Sequence, residues 1–176
     1  MSPQVIFLMQ TALGYVAWLL CFRAYVWPRL DAMDDVQAQR AIATLHSFRF
    51  FGLVFLLPGV VGSGLPPGFA PTAAYLDLTT GLLAMLALAT VNLKPVFWTC
   101  VVAFNGVGTL DFVLDYYHAS RVGLPELAGQ LGAAYMIPVL YVPLLMITHV
   151  TAFYLLVRSP RRQASGQAHA PATFPG

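Results

Sequence analysis

Long apolar stretches, each close to the length of a membrane-crossing helix, constrain the fold of this chain more than any other feature. A helix needs about 20 mostly apolar residues to cross a bilayer. Charged residues make up only 9% of the 176 residues, whereas a water-soluble domain carries roughly a quarter. Too little polar surface exists to cover a soluble globule. The sequence therefore predicts an all-α fold, a polytopic membrane helical bundle with five transmembrane helices. The five predicted spans are residues 5–27, 41–61, 73–93, 96–117 and 134–157.

The second predicted span draws charge into the membrane. The apolar run that starts at Phe50 is interrupted by the Gly-Ser-Gly-Leu-Pro-Pro break at residues 62–67, and it is too short to cross alone. The span must therefore include the residues before Phe50, among which are His46 and Arg49. Asp34 or Asp35 can cap the start of a single long helix here.

The distribution of basic residues predicts the orientation. Cytoplasmic loops of membrane proteins carry an excess of Lys and Arg. Arg121 is alone on one side, so we expect that side, with the N-terminus, to be outside and the C-terminus to be cytoplasmic. We expect residues 1–158 to form one bundle and residues 159–176 a flexible cytoplasmic tail. In a bacterium, this would be a multi-pass protein of the inner membrane. The basic residues on the opposite side are Arg23, Arg29, Arg40, Lys94, Arg158, Arg161 and Arg162.

Polar residues inside the predicted spans are the candidate functional residues. An ionisable group in hydrocarbon costs at least a few kcal/mol unless it faces a partner or water, so each marks a candidate site. Counting about 1.5 Å per residue from the helix ends sorts these residues into two predicted layers. The inner layer comprises His46, Arg49, Asn105 and His149. The outer layer comprises Asp77, Asp111, Asp115 and His118.

The outer layer predicts a pair of carboxylates. Lys94-Pro95 makes a tight turn that forces the third and fourth spans to be antiparallel neighbours. Asp77 and Asp111 lie at similar distances from this turn, so we expect them at one depth. If they meet, the two carboxyl groups would share a proton. A structural role, tying the two helices together, is an equal alternative.

These layers support a binding pocket as the leading functional hypothesis. A small bundle with a few convergent polar groups is typical of a ligand site, here for a small lipophilic molecule. Arg49 and His46 would hold an anionic or carbonyl end, and His149 or the aspartates would move protons. Whether the protein is an enzyme stays open.

Three other functions stay open. The first is a proton-coupled carrier or channel, because carboxylate and histidine chains relay protons. The second is a haem or metal protein, with His46 and His149 as the best candidate ligands. The third is a non-catalytic accessory subunit of a larger membrane complex, where the polar residues only fix helix packing. A homo-oligomer is expected for the carrier or channel, because the chain is small.

Several function classes lack support in the sequence. The chain has no H-E-x-x-H, Walker, G-x-S-x-G or EF-hand pattern. Its net charge is only +2, and no basic patch interleaved with aromatic residues predicts a nucleic-acid partner. Cys21 and Cys100 lie in apolar spans and are expected to be small buried hydrophobic residues. The partner that the sequence does predict is the lipid bilayer.

Overall fold

The computed structural model describes residues 1–66 and 68–168, without the side chains of residues 69 and 159–168. Helices and connecting turns make up these residues, which contain no strand. The all-α prediction is confirmed, and four of the helices in these residues are long and apolar enough to cross a membrane. In chain order the elements are α1 (Pro3–Ala32), α2 (Asp35–His46) with a 3₁₀ extension (Ser47–Leu56), α3 (Phe69–Ala89), α4 (Lys94–Val122), a 3₁₀ segment (Ala128–Tyr135), a π-helical segment (Ile137–Tyr141) and α5 (Val142–Ala168).

Helix α1 begins at a side-chain cap and continues past its proline. The Ser2 hydroxyl accepts a hydrogen bond from the Val5 N–H at 3.3 Å. The sequence predicts an end at Pro28, but the helix continues to Ala32 through a π-helical turn at Phe22–Val26. Pro28 then lies in the first turn of the resumed α-helix, where its missing N–H is tolerated.

Helix α2 begins as the sequence predicts. The Asp34 carboxylate accepts a hydrogen bond from the Gln37 N–H at 2.9 Å, capping the helix start. At Ser47 the helix tightens into a 3₁₀ helix, which has three residues per turn. Together, α2 and this segment cover residues 41–56 of the predicted 41–61 span, and neither is among the four long apolar helices.

The 3₁₀ geometry places every third residue on one face. His46, Arg49, Gly52 and Phe55 are all buried, and the phenylalanines between them, such as Phe51, are exposed. In an α-helix, residues at this spacing would drift around the axis. The tighter helix therefore directs the histidine and the arginine into the bundle together.

Helices α3 and α4 form an antiparallel hairpin, as expected. The turn between them is closed by a hydrogen bond from the Leu93 N–H to the Thr90 carbonyl at 2.8 Å. Lys94 and Pro95 start α4 rather than forming the turn itself. Proline suits the first helical turn because that N–H has no intrahelical partner.

Two apolar clusters occupy opposite ends of the bundle. The Phe97 cluster gathers the end of α1, the start of α2, the α3–α4 turn region and the later part of α5; it includes Leu30, Ile42, Ala84, Phe97 and Leu155. The Leu131 cluster gathers the other ends, and it includes Phe7, Phe55, Ala74, Leu124 and Leu131. The candidate polar residues lie between these clusters.

The segment after α4 closes the Leu131 end. The Gly62 N–H donates to the Gln130 carbonyl at 2.7 Å, joining the loop after the first 3₁₀ helix to the second one. Gly132 has a φ of +52° and lies against the Val60 carbonyl, so a side chain would be strained and would clash there.

At the other end of the chain, α5 extends to Ala168. Residues 169–176 of the predicted tail lie outside the described residues.

Candidate functional site

Arg49 is the centre of the polar residues in the bundle, and its side chain is fully buried. Its Nε donates to Asp77 Oδ1 at 2.5 Å. Its Nη2 donates to Asp111 Oδ2, forming a second ion pair. Its Nη1 lies 3.2 Å from His149 Nε2 and 3.4 Å from the Gly108 carbonyl oxygen. The planar guanidinium fork, with five N–H donors, allows one side chain to hold several acceptors at fixed angles.

The partners of Arg49 come from three different helices. Arg49 itself lies on the 3₁₀ extension of α2, Asp77 on α3, Asp111 on α4 and His149 on α5. The one guanidinium therefore connects four segments of the bundle. We call Arg49, Asp77, Asp111, Asn105 and His149 the Arg49 network.

Hydrogen bonding fixes the tautomer of His149. The Asn105 amide nitrogen donates to the Val101 carbonyl at 2.8 Å, which leaves the amide oxygen as the atom 2.8 Å from His149 Nδ1. An oxygen can only accept, so Nδ1 carries the proton. His149 Nε2 then presents its lone pair to Arg49 Nη1, and this assignment follows from the network of donors and acceptors.

His46 packs beside the network without contacting Arg49 through a hydrogen bond. Its ring centroid lies 4.1 Å from that of His149, and its Nε2 lies 3.0 Å from the Thr148 hydroxyl. That hydroxyl donates to the Leu145 carbonyl at 2.9 Å, so it accepts from His46. The other ring nitrogen, Nδ1, is buried and has no hydrogen-bond partner among the described residues.

Two glycines make the space that the network fills. A Cβ on Gly108 would lie 2.5 Å from both Arg49 Nη1 and His149 Nε2. A Cβ on Gly52 would overlap the Asp77 carboxylate. Only glycine lets these two backbones approach the charged groups so closely.

An aromatic ring covers the guanidinium. Arg49 Cζ lies 4.4 Å from the centroid of the Phe112 ring, and Phe112 is itself buried. A cation over a ring face is favoured most when the pair is shielded from water, as here.

An apolar cavity of about 260 Å³ lies beside the Arg49 network, at the Leu131 end of the bundle. Its walls come from the start of α1, from α3 and α4, and from the segment that leads into α5. Two carboxylates, those of Asp77 and Asp115, line it together with Tyr116 and Tyr141. The apolar wall residues include Phe7, Phe55, Phe112, Leu131, Ile137 and Leu145.

Five residues from the two expected layers form one network instead. Depth along a helix separated Arg49 from the aspartates, but an arginine side chain is long enough to bridge that distance. Asp77 and Asp111 do lie near each other, as expected, yet the Arg49 guanidinium contacts both. The expected two-carboxylate pair sharing a proton is therefore replaced by two carboxylates around one cation.

The remaining predicted residues are placed differently. His118 is half-buried, and its ring packs against Tyr117 with centroids 5.7 Å apart, away from the network. Asn105 and His149 bond each other, as their shared layer suggests. Gly52 and Phe112 were not identified from the sequence. The spacing of three residues from His46 to Arg49 and from Arg49 to Gly52 is the signal that could have identified Gly52.

The geometry of the two histidines gives no support to a haem or metal site. Their rings are in direct contact, so a macrocycle has no room between them as axial ligation by both would require. Both nitrogens of His149 already have protein partners. In the part of the chain that the structure describes, no group of three or more His, Cys, Asp or Glu side chains is arranged to hold a metal ion.

The chain matches the family model described as Domain of unknown function (DUF8737) over residues 6–157. The chain belongs to this family. The matched region includes every helix that supplies the Arg49 network and the cavity. No curated protein and no solved structure matches the chain.

Proposed function

We propose that this protein is a multi-pass membrane protein that binds a small lipophilic molecule in the cavity beside the Arg49 network. The observation that carries this proposal is an apolar cavity bounded at one end by buried charged side chains. Ligand sites are mostly apolar concavities with a few polar groups that fix orientation. The cavity has this composition, and its 260 Å³ lies just below the ~300 Å³ lower end of typical sites, which favours a small ligand.

The free-energy cost of burying the charges of the Arg49 network supports a role beyond packing. Buried ion pairs must overcome a large desolvation penalty, and well-packed apolar residues often give equal or greater stability. Charged groups within membrane spans usually mark functional sites. Here the charges adjoin the cavity rather than the middle of either apolar cluster.

We further propose five crossings, with residues 35–56 as the fifth. The segment starts beside the Phe97 cluster and ends in the Leu131 cluster. Its α-helical and 3₁₀ parts together rise roughly 38 Å, enough to cross a hydrocarbon core of ~30 Å. This topology, with Arg121 alone on the other side, places the N-terminus outside, the C-terminus in the cytoplasm and the cavity in the outer half.

Ligand extraction tests the binding function. We would purify the full chain in detergent, release bound molecules with organic solvent, and compare them by mass spectrometry across variants. Ala119→Phe and Ser120→Phe each place a ring at the cavity wall. Ala17→Phe adds the same ring at an exposed position of α1, outside the cavity, and is the matched control.

The expected result is a molecule that co-purifies with the wild type and with Ala17→Phe, and that is depleted in both cavity variants. Using two cavity positions guards against one variant that fails to fold. Identical extracts from all four proteins would overturn the proposal.

Proton movement is a second candidate, favoured by a specific observation. Asp111 Oδ1 and His46 Nδ1 are buried and lack hydrogen-bond partners among the described residues, and each could hold a proton. Both residues lie close to the Arg49 guanidinium: Asp111 pairs with it, and the His46 ring packs against that of His149. Proteoliposomes carrying a pH-sensitive dye would show proton flux that Asp111→Asn abolishes; no flux in the wild type would reject this candidate.

A further inference from the structure

The carboxylates around the cavity outnumber the cation that neutralises them. Asp77 and Asp111 each pair with Arg49, so this guanidinium is already shared by two acids. Asp115 lies one helical turn beyond Asp111 on α4, on the same face. His149 contributes no compensating charge, because its Nε2 accepts a hydrogen bond from Arg49.

Asp115 differs from the other two aspartates because it faces the cavity without a protein hydrogen bond. Its side chain lines the cavity, and among the described residues no hydrogen bond or ion pair joins it to a neighbour. A half-buried carboxylate in an apolar surrounding needs a donor or a counter-ion.

The other polar groups of the cavity make their hydrogen bonds elsewhere. The Thr11 hydroxyl donates to the Phe7 carbonyl at 2.9 Å, and the Ser120 hydroxyl donates to the Tyr117 carbonyl at 2.7 Å. The Tyr116 hydroxyl is hydrogen-bonded to the Tyr15 hydroxyl at 2.7 Å. The Tyr141 hydroxyl donates to the Leu45 carbonyl oxygen at 3.5 Å. The cavity therefore presents an apolar wall and an acidic end.

We infer that the ligand of this cavity carries an amine head that is protonated and pairs with Asp115, with an apolar body along the wall formed by α1, α4 and the segment before α5. This inference rests on the proposed function, since it specifies the chemical class of the molecule bound there. It differs from the sequence-based hypothesis, in which Arg49 and His46 hold an anionic or carbonyl end. Both donors of that hypothesis are committed to protein partners.

The test uses three probes that share an alkyl chain and differ in the head group: octylamine, octanol and octanoate. Binding of each to the purified full chain in a nonionic detergent would be measured from the concentration dependence of thermal unfolding. Wild type should bind octylamine roughly ten-fold or more tightly than octanol, and octanoate more weakly than either.

Three substitutions separate recognition of the amine group from binding in the cavity itself. Asp115→Asn keeps the size of the side chain and should remove the preference for octylamine over octanol. Glu126→Gln removes an exposed carboxylate next to the cavity residue Pro125, outside the lining, and should keep the preference. Ala119→Phe should weaken all three probes.

The outcomes distinguish this inference from the proposed function. If Ala119→Phe blocks binding of the probes, the pocket is supported. The amine inference is then overturned if the wild type shows no preference for octylamine, or if that preference survives in Asp115→Asn. Binding that is absent, or unaffected by Ala119→Phe, would contradict the pocket and the amine together.

Discussion

Removing the Arg49 guanidinium should destabilise the protein more than Gly108→Ala or Asn105→Leu. Arg49→Met keeps an unbranched apolar stem of similar length and removes the charge. Asp77 and Asp111 then lose the cation that each contacts. His149 loses the donor that faces its Nε2.

The size of the effect follows from these contacts. Breaking a buried ion pair by removing one partner typically costs about 3–5 kcal/mol, because the other charge stays buried and uncompensated. Protonation of the aspartates can limit the loss, so we expect a value within this range rather than twice it. For a chain of this size that corresponds to a fall in Tm of roughly 6–20 °C.

Thermal unfolding in detergent, followed by tryptophan fluorescence, would measure this change. Arg40→Met is the matched control, because Arg40 is exposed on α2 and its loss should change the Tm by only a degree or two. Adding Asp77→Asn and Asp111→Asn to Arg49→Met should recover part of the loss, since no uncompensated carboxylate then remains. Arg49→Lys should recover less than full stability because lysine lacks the guanidinium fork.

Equal stability of Arg49→Met and Arg40→Met would refute the account of Arg49 as the centre of the network. A triple variant less stable than Arg49→Met alone would refute the argument that the stranded carboxylates cause the loss.

Three further predictions concern packing, hydrogen bonding and topology. Gly108→Ala should cost about 1–3 kcal/mol of unfolding free energy, whereas Gly106→Ala, where a Cβ meets nothing within 4 Å, should be neutral or stabilising; equal effects by thermal unfolding would contradict the close fit. Asn105→Leu should cost about 1–3 kcal/mol by leaving a buried imidazole N–H unpaired, and a neutral result in the same assay would refute the assigned tautomer. Cysteines at Gln37 and Ser63 should react with an impermeant thiol reagent from opposite sides of the membrane, and labelling from one side would mean that residues 35–56 do not cross.

Much of the fold follows from the sequence through simple physics. The length and composition of the apolar runs predict the helices, and the Asp34 cap predicts the start of α2. The identity of the buried polar residues also follows, because charged side chains among apolar ones stand out. Arg49, Asn105 and His149 are all buried as expected.

The organisation of the site could not be predicted from depth alone. Counting residues along a helix gives the height of a Cα atom, and the side chain of Arg49 extends well beyond that height to reach Asp77 and Asp111. The change from α to 3₁₀ geometry at Ser47 also alters which residues share a face. Both effects depend on tertiary packing, and neither leaves a strong signal in composition or hydropathy.

An experimental structure of the full chain in lipid nanodiscs would test the central claim most directly. The account predicts that the Arg49 guanidinium lies within hydrogen-bonding distance of both the Asp77 and the Asp111 carboxylates. It also predicts density that belongs to neither protein nor bulk lipid in the cavity, ending at Asp115. An Arg49 side chain turned toward lipid, or a cavity filled by the protein's own side chains, would contradict it.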